Sequence, residues 1–326
     1  MRLLDLVCQS TSPPPGIPTG FSIPTPGHFA QQVTACPLRI VLADELVRCS
    51  TQLAYSEGDR LAGCLDLIHA PMQSVWIEWS EVIRQQVLRE IPNLEVRDAA
   101  TAKRVGLLVQ TDKTGRAGTM RTFWSTSEDV PYTGSVVTEF DLDHPIRGST
   151  DLGAMFDGEP VGVSHMAEPA VDAVLNHVQY RLDTAWRSYY GCANLSAVER
   201  NAVARTALSS SACDAPMTLA LFLLMTAKDG VQRRTSELAK VNRARRRMGR
   251  APLLEHVEAF LNLRAFTEPD GLEPDAGTSV RRPARLHHVR GHLARRGNKI
   301  FWRCSHLRGS ARLGSLRSRT VALSFH

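Results

Sequence analysis

Residues 104–142 read RVGLLVQTDKTGRAGTMRTFWSTSEDVPYTGSVVTEFDL. Three strand-like runs stand in this stretch: Arg104–Gln110, Thr119–Ser125 and Gly134–Leu142. The first two are joined by Thr-Asp-Lys-Thr-Gly-Arg-Ala-Gly, a polar connection with the glycines that a hairpin loop needs. Together the runs predict a small antiparallel meander. Upstream, Ser74-Val-Trp-Ile-Glu-Trp79 reads as a further short strand. Ser80 then stands where it can cap a helix carrying Ile83, Val87, Leu88 and Ile91 on one face.

Away from the meander the patterns turn helical. Leu38, Val41, Leu42 and Leu46, then Leu61, Cys64, Leu65 and Ile68, recur at helical spacing. Val171, Val174, Leu175, Val178, Leu182 and Trp186 form one apolar stripe, which predicts a single long helix over Pro169–Tyr190. Ser196-Ala-Val-Glu199 has capping-box spacing, and residues 215–229 predict a buried helix. Another helix is expected from Thr235 or Ser236 to Gly249, with Pro252 just beyond; Val257–Leu263 then alternate as in a strand.

The expected class is therefore α+β: a small antiparallel meander with N-terminal helices, a central helical bundle and a C-terminal basic β-hairpin. Residues 1–27 read as a disordered, Pro-rich leader and 28–145 as an α+β unit. Residues 146–266 form a mainly helical unit, 267–280 an acidic linker and 281–326 a basic hairpin module.

The 326 residues carry 39 Lys+Arg and 33 Asp+Glu, a formal net charge of +6. That total hides a segregation. Residues 281–326 hold 12 Lys+Arg and no acid, while residues 1–280 hold 27 basic and 33 acidic side chains. Residues 232–250, QRRTSELAKVNRARRRMGR, add 8 basic residues against one Glu. Two basic C-terminal segments on an acidic body point to a polyanionic partner, DNA or RNA, with an acidic protein as the alternative.

Seven cysteines, at positions 8, 36, 49, 64, 192, 213 and 304, form no CxxC pair, which reads as reduced thiols in a cytoplasmic protein. The longest apolar run, Met217–Met225, is far short of the ~20 residues a membrane span needs, so no membrane partner is expected. GxxxxGK[ST], GxGxxG after a strand, GxSxG and HExxH are all absent. The ATPase, dinucleotide-enzyme, serine-hydrolase and zincin readings lose their anchors with them.

In the tail, Leu286–Arg295 and Ile300–His306 flank Arg296-Gly297-Asn298, the signal for a hairpin turn. Arg290, Arg295, Arg296, Arg303 and Arg308 are candidate phosphate contacts, since guanidinium groups bind phosphate bidentately, and Trp302 is a candidate stacking platform. In the helix of residues 235–249, Leu238, Val241 and Met248 mark the expected inner face, leaving Arg243, Arg246 and Arg247 to point outward. A solvated basic surface with no ligand accounts for the same residues.

Leu238-Ala-Lys-Val-Asn-Arg-Ala-Arg-Arg-Arg-Met-Gly-Arg-Ala-Pro-Leu-Leu254, His288-Val-Arg-Gly-His-Leu-Ala-Arg295 and His306-Leu-Arg-Gly309 resemble an uncharacterised family of phage- and prophage-associated proteins of alphaproteobacteria, with an echo at Trp76-Ile-Glu-Trp79. The resemblance covers mainly the C-terminal quarter. It implies a mobile-element setting and carries no activity.

Two clusters suggest metals. His288, His292, Cys304 and His306 have ligand types that suit a structural Zn²⁺, although HxxxH favours a helix where this stretch reads as a strand. Glu139, Asp141 and Asp143 share one face of a predicted strand, the kind of carboxylate group that holds Mg²⁺ in phosphodiester-cleaving enzymes. An ordinary polar face opposite an apolar one explains them equally well. Glu78, between two tryptophans, is expected as an outward residue. The sequence thus leaves three readings: a phage-associated nucleic-acid-binding protein, a metal-dependent nuclease, and a non-enzymatic structural or host-interaction protein.

Overall fold

Leu38–Leu42 (LRIVL) is a strand, β1, and it organises the molecule in the computed structural model. The structure describes residues 1–10, 23–91, 102–146, 148–163, 169–209, 211–228, 230–262, 285–289, 292–303, 306–308 and 310–315. β1 pairs in parallel with β2 (Ser74–Ser80) on one side and with β8 (Val257–Leu261) on the other. From β2 outward the pairing is antiparallel, through β3 (Arg104–Thr111), β4 (Ala117–Ser125), β5 (Pro131–Asp141) and β6 (Val178–Leu182). β7 (Val231–Thr235) joins β8, which completes an eight-stranded mixed sheet in the order β6-β5-β4-β3-β2-β1-β8-β7.

The expected class, α+β with a small meander and a separate helical bundle, is therefore wrong: the protein is α/β, built on one large mixed sheet. The antiparallel runs are part of that sheet, which recruits two further stretches expected to be helical. β1 was hidden because a central strand covered on both faces is continuously apolar, and LRIVL can be read at either period. The supposed long helix over Pro169–Tyr190 is three elements: α6 (Pro169–Leu175), β6 and α7 (Thr184–Gly191). Val178, Tyr180 and Leu182 are buried in alternation with Gln179 and Arg181, a period of two inside an apparent period of 3.6.

Both faces of the sheet are covered. α1 (Leu3–Gln9) and α2 (Ala30–Ala35) lie on one, where Leu3, Leu4 and Val7 pack with Val41, Trp76, Leu108 and Phe123. Gly106 is required here, because a Cβ would overlap the ring of Trp76. α1 also corrects the expected leader, since residues 3–7 belong to the core; residues 11–22, the Pro-rich part, lie outside the described residues. The alternate residues Ile40, Ile77 and Leu107 are equally buried. α3 (Asp44–Ser56), which is followed by the short α4 (Gly58–Ala62), packs on β2 and β8 and carries α5 (Glu81–Glu90) against it. α8 (Ala197–Ser209) packs on β5, and α9 (Asp214–Thr226) packs on α3. α9 is apolar almost all round and buried throughout its first eleven residues.

The chain divides into two units: Met1–Thr226 with Gln232–Leu261, which holds the sheet, and Ala227–Val231 with Asn262–His326. Within the second, β10 (His292–Arg296) and β11 (Lys299–Arg303) form an antiparallel hairpin, turning at Gly297 with φ +60°. β9 (Arg285–Val289) lies between β12 (His306–Arg308), antiparallel, and β13 (Ser310–Ser315), parallel. The expected first strand, Leu286–Arg295, is thus split between two sheets. The linker 267–280 lies outside the described residues. Among the described residues no helix is long and apolar enough to cross a membrane.

Candidate functional site

Two charged regions stand out in the first unit, and their electrostatics differ. The first is a cleft of about 790 Å³ beside α1, lined among others by Arg2, Lys103, Arg104, Arg234 and Glu258. It follows from cross-strand register: Val41 is the partner of both Glu78 on β2 and Glu258 on β8, so two glutamates flank one valine on the α1 face. Glu78 is fully buried, correcting its expected outward placement. Its carboxylate accepts the backbone N–H of Leu3 at 2.9 Å and of Leu4 at 3.0 Å, and pairs with Arg104 Nη1 at 3.2 Å.

The cations of this cleft are matched by their own acids. Glu258 takes Arg2 at 3.3 Å and Arg234 at 2.6 Å, while Lys103 Nζ pairs with Asp129 Oδ1 at 3.0 Å. The hydrogen bond from Arg234 outweighs burial and holds the Glu258 carboxyl below the usual glutamate range. An anion entering this cleft has to displace a carboxylate from each guanidinium it contacts.

The second region is the helix α10 (Ala239–Arg247) and the turn after it. Here the cations are unmatched. Lys240, Arg243, Arg246, Arg247 and Arg250 are all exposed, and among the described residues none of them forms an ion pair. Lys240, Arg243 and Arg247 recur at i, i+3 and i+7, one face of the helix. The opposite face is held by polar groups, not by the expected apolar stripe. Asn242, 9% exposed, donates through Nδ2 to Leu253 O at 2.9 Å and accepts Leu253 N–H at 2.7 Å through Oδ1. Val241 and Met248, expected inside, are 45% and 68% exposed.

Gly249, at φ +67°, ends the helix in the left-handed conformation that reverses the chain. Arg245 Nε then reaches Ala251 O at 2.8 Å, and Leu254 donates its N–H to Asp5 Oδ1 at 2.8 Å. α10 is thereby fixed to α1 and the core. The sequence reading found its arginines but missed Asn242, whose only signal was a lone amide in a basic helix.

Of the other expected nucleic-acid contacts, Arg295 and Arg296 are exposed at the turn of the β10–β11 hairpin. Trp302 and Arg303 lie in β11 and Arg308 in β12; Arg290 lies outside the described residues.

The expected metal ligands are distributed. His288 is in β9 opposite Leu307, His306 in β12 opposite Val289, and His292 opens β10 in the other sheet opposite Arg303; Cys304 lies outside the described residues. Glu139, Asp141 and Asp143 are each engaged separately. Glu139 binds Gln179 and Arg181 of β6, and Asp143 pairs with Arg116 at 2.7 Å. Asp141 accepts the N–H groups of Asp143 and His144 at 2.9 and 3.0 Å; against burial, these hold its carboxyl below the ordinary range. Among the described residues no three His, Cys, Asp or Glu side chains are placed to hold a metal ion.

Comparison with protein-family models, curated proteins and solved structures found no match to the chain.

Proposed function

We propose that this chain binds the phosphate backbone of DNA or RNA through the outer face of α10, acting in the cytoplasm in the mobile-element setting its C-terminal resemblance implies. One observation carries the reading: among the described residues, five exposed cations of one short segment have no acidic partner, and Asn242 and Asp5 tie that segment to the core. Unpaired guanidinium groups on a fixed scaffold can meet successive phosphates without first releasing a carboxylate. The charged cleft beside α1 lacks that property.

The test is fluorescence anisotropy of labelled single- and double-stranded oligonucleotides against the full chain over a range of salt. Backbone binding should weaken steeply as salt rises. The triple variant Lys240→Gln, Arg243→Gln, Arg247→Gln should flatten the plot of log K against log salt by about 2 to 3, the contribution of three phosphate contacts. Unchanged affinity and slope in the triple variant would overturn the proposal. So would a wild-type chain that binds an acidic protein and no nucleic acid.

A further inference from the structure

On another part of the first unit, α7, α8 and the β4–β5 hairpin line a cleft of about 510 Å³. Trp124 of β4 and Tyr132 of β5 are register partners, and their rings stack 5.7 Å apart at 10°. Trp186 and Tyr190 lie one turn apart on α7 and stack 5.8 Å apart at 28°. Both pairs line the cleft.

The helix is positioned against the hairpin by its N-cap. Asp183 accepts the N–H of Ala185 at 3.0 Å and Arg121 Nη2 of β4 at 2.8 Å, and donates its own N–H to Ser135 O of β5 at 2.8 Å. The two aromatic pairs are therefore carried by elements fixed to each other, as a preformed binding site requires.

Two further facts give the cleft a chemistry. Among the described residues no charged side chain lines it. One polar atom of its lining, Trp186 Nε1, is buried and has no hydrogen-bond partner among the described residues. Leaving such a group unsatisfied costs roughly 1–3 kcal/mol, so this N–H calls for a partner from outside the fold. Phosphate and carboxylate ligands find no cation here. Sugars find no carboxylate or amide to grip their hydroxyls. A flat, uncharged ring with an acceptor on its edge suits both the stacked aromatic faces and the unpartnered indole N–H.

We propose that this cleft binds a nucleobase, stacked on the aromatic pairs with an acceptor on its edge taking the Trp186 indole N–H. The site needs no phosphate, so it stands or falls independently of the α10 reading.

The test uses adenosine, guanosine, cytidine and uridine, which carry no phosphate, against the ¹⁵N-labelled full chain, with the Trp186 indole N–H as reporter. At least one nucleoside should shift that resonance saturably at or below about 1 mM, the weak end of specific binding. Trp186→Phe, which keeps a ring and loses the donor, should weaken the binding about 5- to 10-fold, read from the backbone amide resonances of Tyr190 and Ala207 in the cleft wall. Trp124→Leu, which removes one stacking face, should weaken it at least as much, read from the Trp186 indole N–H. The proposal fails if no nucleoside shifts the resonance, or if both variants, shown folded by thermal melting, bind as the wild type does. It fails equally if a proline-rich peptide copying residues 11–22 occupies the cleft in preference to every nucleoside, since that would make it a polyproline groove.

Discussion

Glu78 Oε1 accepts the backbone N–H of Leu3 at 2.9 Å, joining β2 to the start of a helix 75 residues earlier in the chain. The same carboxylate takes Leu4 N–H and Arg104, so one buried side chain satisfies the first turn of α1 and neutralises a cation.

Replacing Glu78 by Ala strands two buried N–H groups and one guanidinium. The expected cost is about 3–5 kcal/mol, the range for breaking one partner of a buried charged pair. Glu78→Gln keeps an acceptor for one N–H but turns an amide donor toward the other, and should cost about 2 kcal/mol. Urea denaturation of both variants measures this; a cost below about 1 kcal/mol for Glu78→Ala would show that α1 is held by its leucines alone.

Asp5 predicts a dependence on pH. Burial pushes its carboxyl above the ordinary aspartate range, although the hydrogen bond from Leu254 and the nearby cations oppose this. The folded chain then binds this proton more tightly than the unfolded chain, so stability from this group is lost as pH rises through the raised value. Asp5→Asn keeps the acceptor for Leu254 N–H and removes the titration. It should match or exceed wild-type stability at about pH 7 and lose that advantage near about pH 4. Urea midpoints across that range, lower for the variant at neutral pH, would contradict the assignment.

Arg84 predicts a coupling. It is buried between Glu81, which accepts Nη2 at 2.9 Å, and Asp214, to which Nη1 donates; Thr122 Oγ1 donates to the second oxygen of Asp214 at 2.8 Å. Arg84→Met should cost about 3–5 kcal/mol by leaving two carboxylates unpaired in the core. Adding Asp214→Asn to it should recover part of that loss, and a double-mutant cycle on denaturation free energies reads the difference. Strict additivity would mean the two side chains do not share an interaction.

Where local chemistry decides an element, it was legible in the residues. Ser196 and Glu199 make the capping box their spacing announces, with Ser196 N–H on Glu199 Oε2 at 2.8 Å. Gly249 ends α10 as expected, and β2 to β5 fall close to the predicted runs. What escaped depends on distant partners. Leu38–Leu42 becomes a strand because β2 and β8 flank it, and Val178–Leu182 because β5 offers an edge. Charge was legible as composition, but its pairing was not. Arg234 and Arg243 stand nine residues apart in equally basic sequence, and only the fold gives Arg234 a glutamate. The aromatic cleft was invisible for the same reason: Trp124 and Trp186 meet through a strand and a helix both anchored by Asp183.

The parallel pairing of β1 with β8 has a consequence for biosynthesis. Arg39 reaches Glu255 O across 216 residues, so β1 waits for most of the chain before its second edge is covered. A nascent chain that has made β2 to β6 holds out the bare edge of Leu38-Arg39-Ile40-Val41-Leu42, the feature that recruits other strands and invites aggregation. Fragments ending before Val257 should be clients of chaperones and partition into the insoluble fraction. Closure of β8 on β1, a pairing of high sequence separation, should then come late in folding.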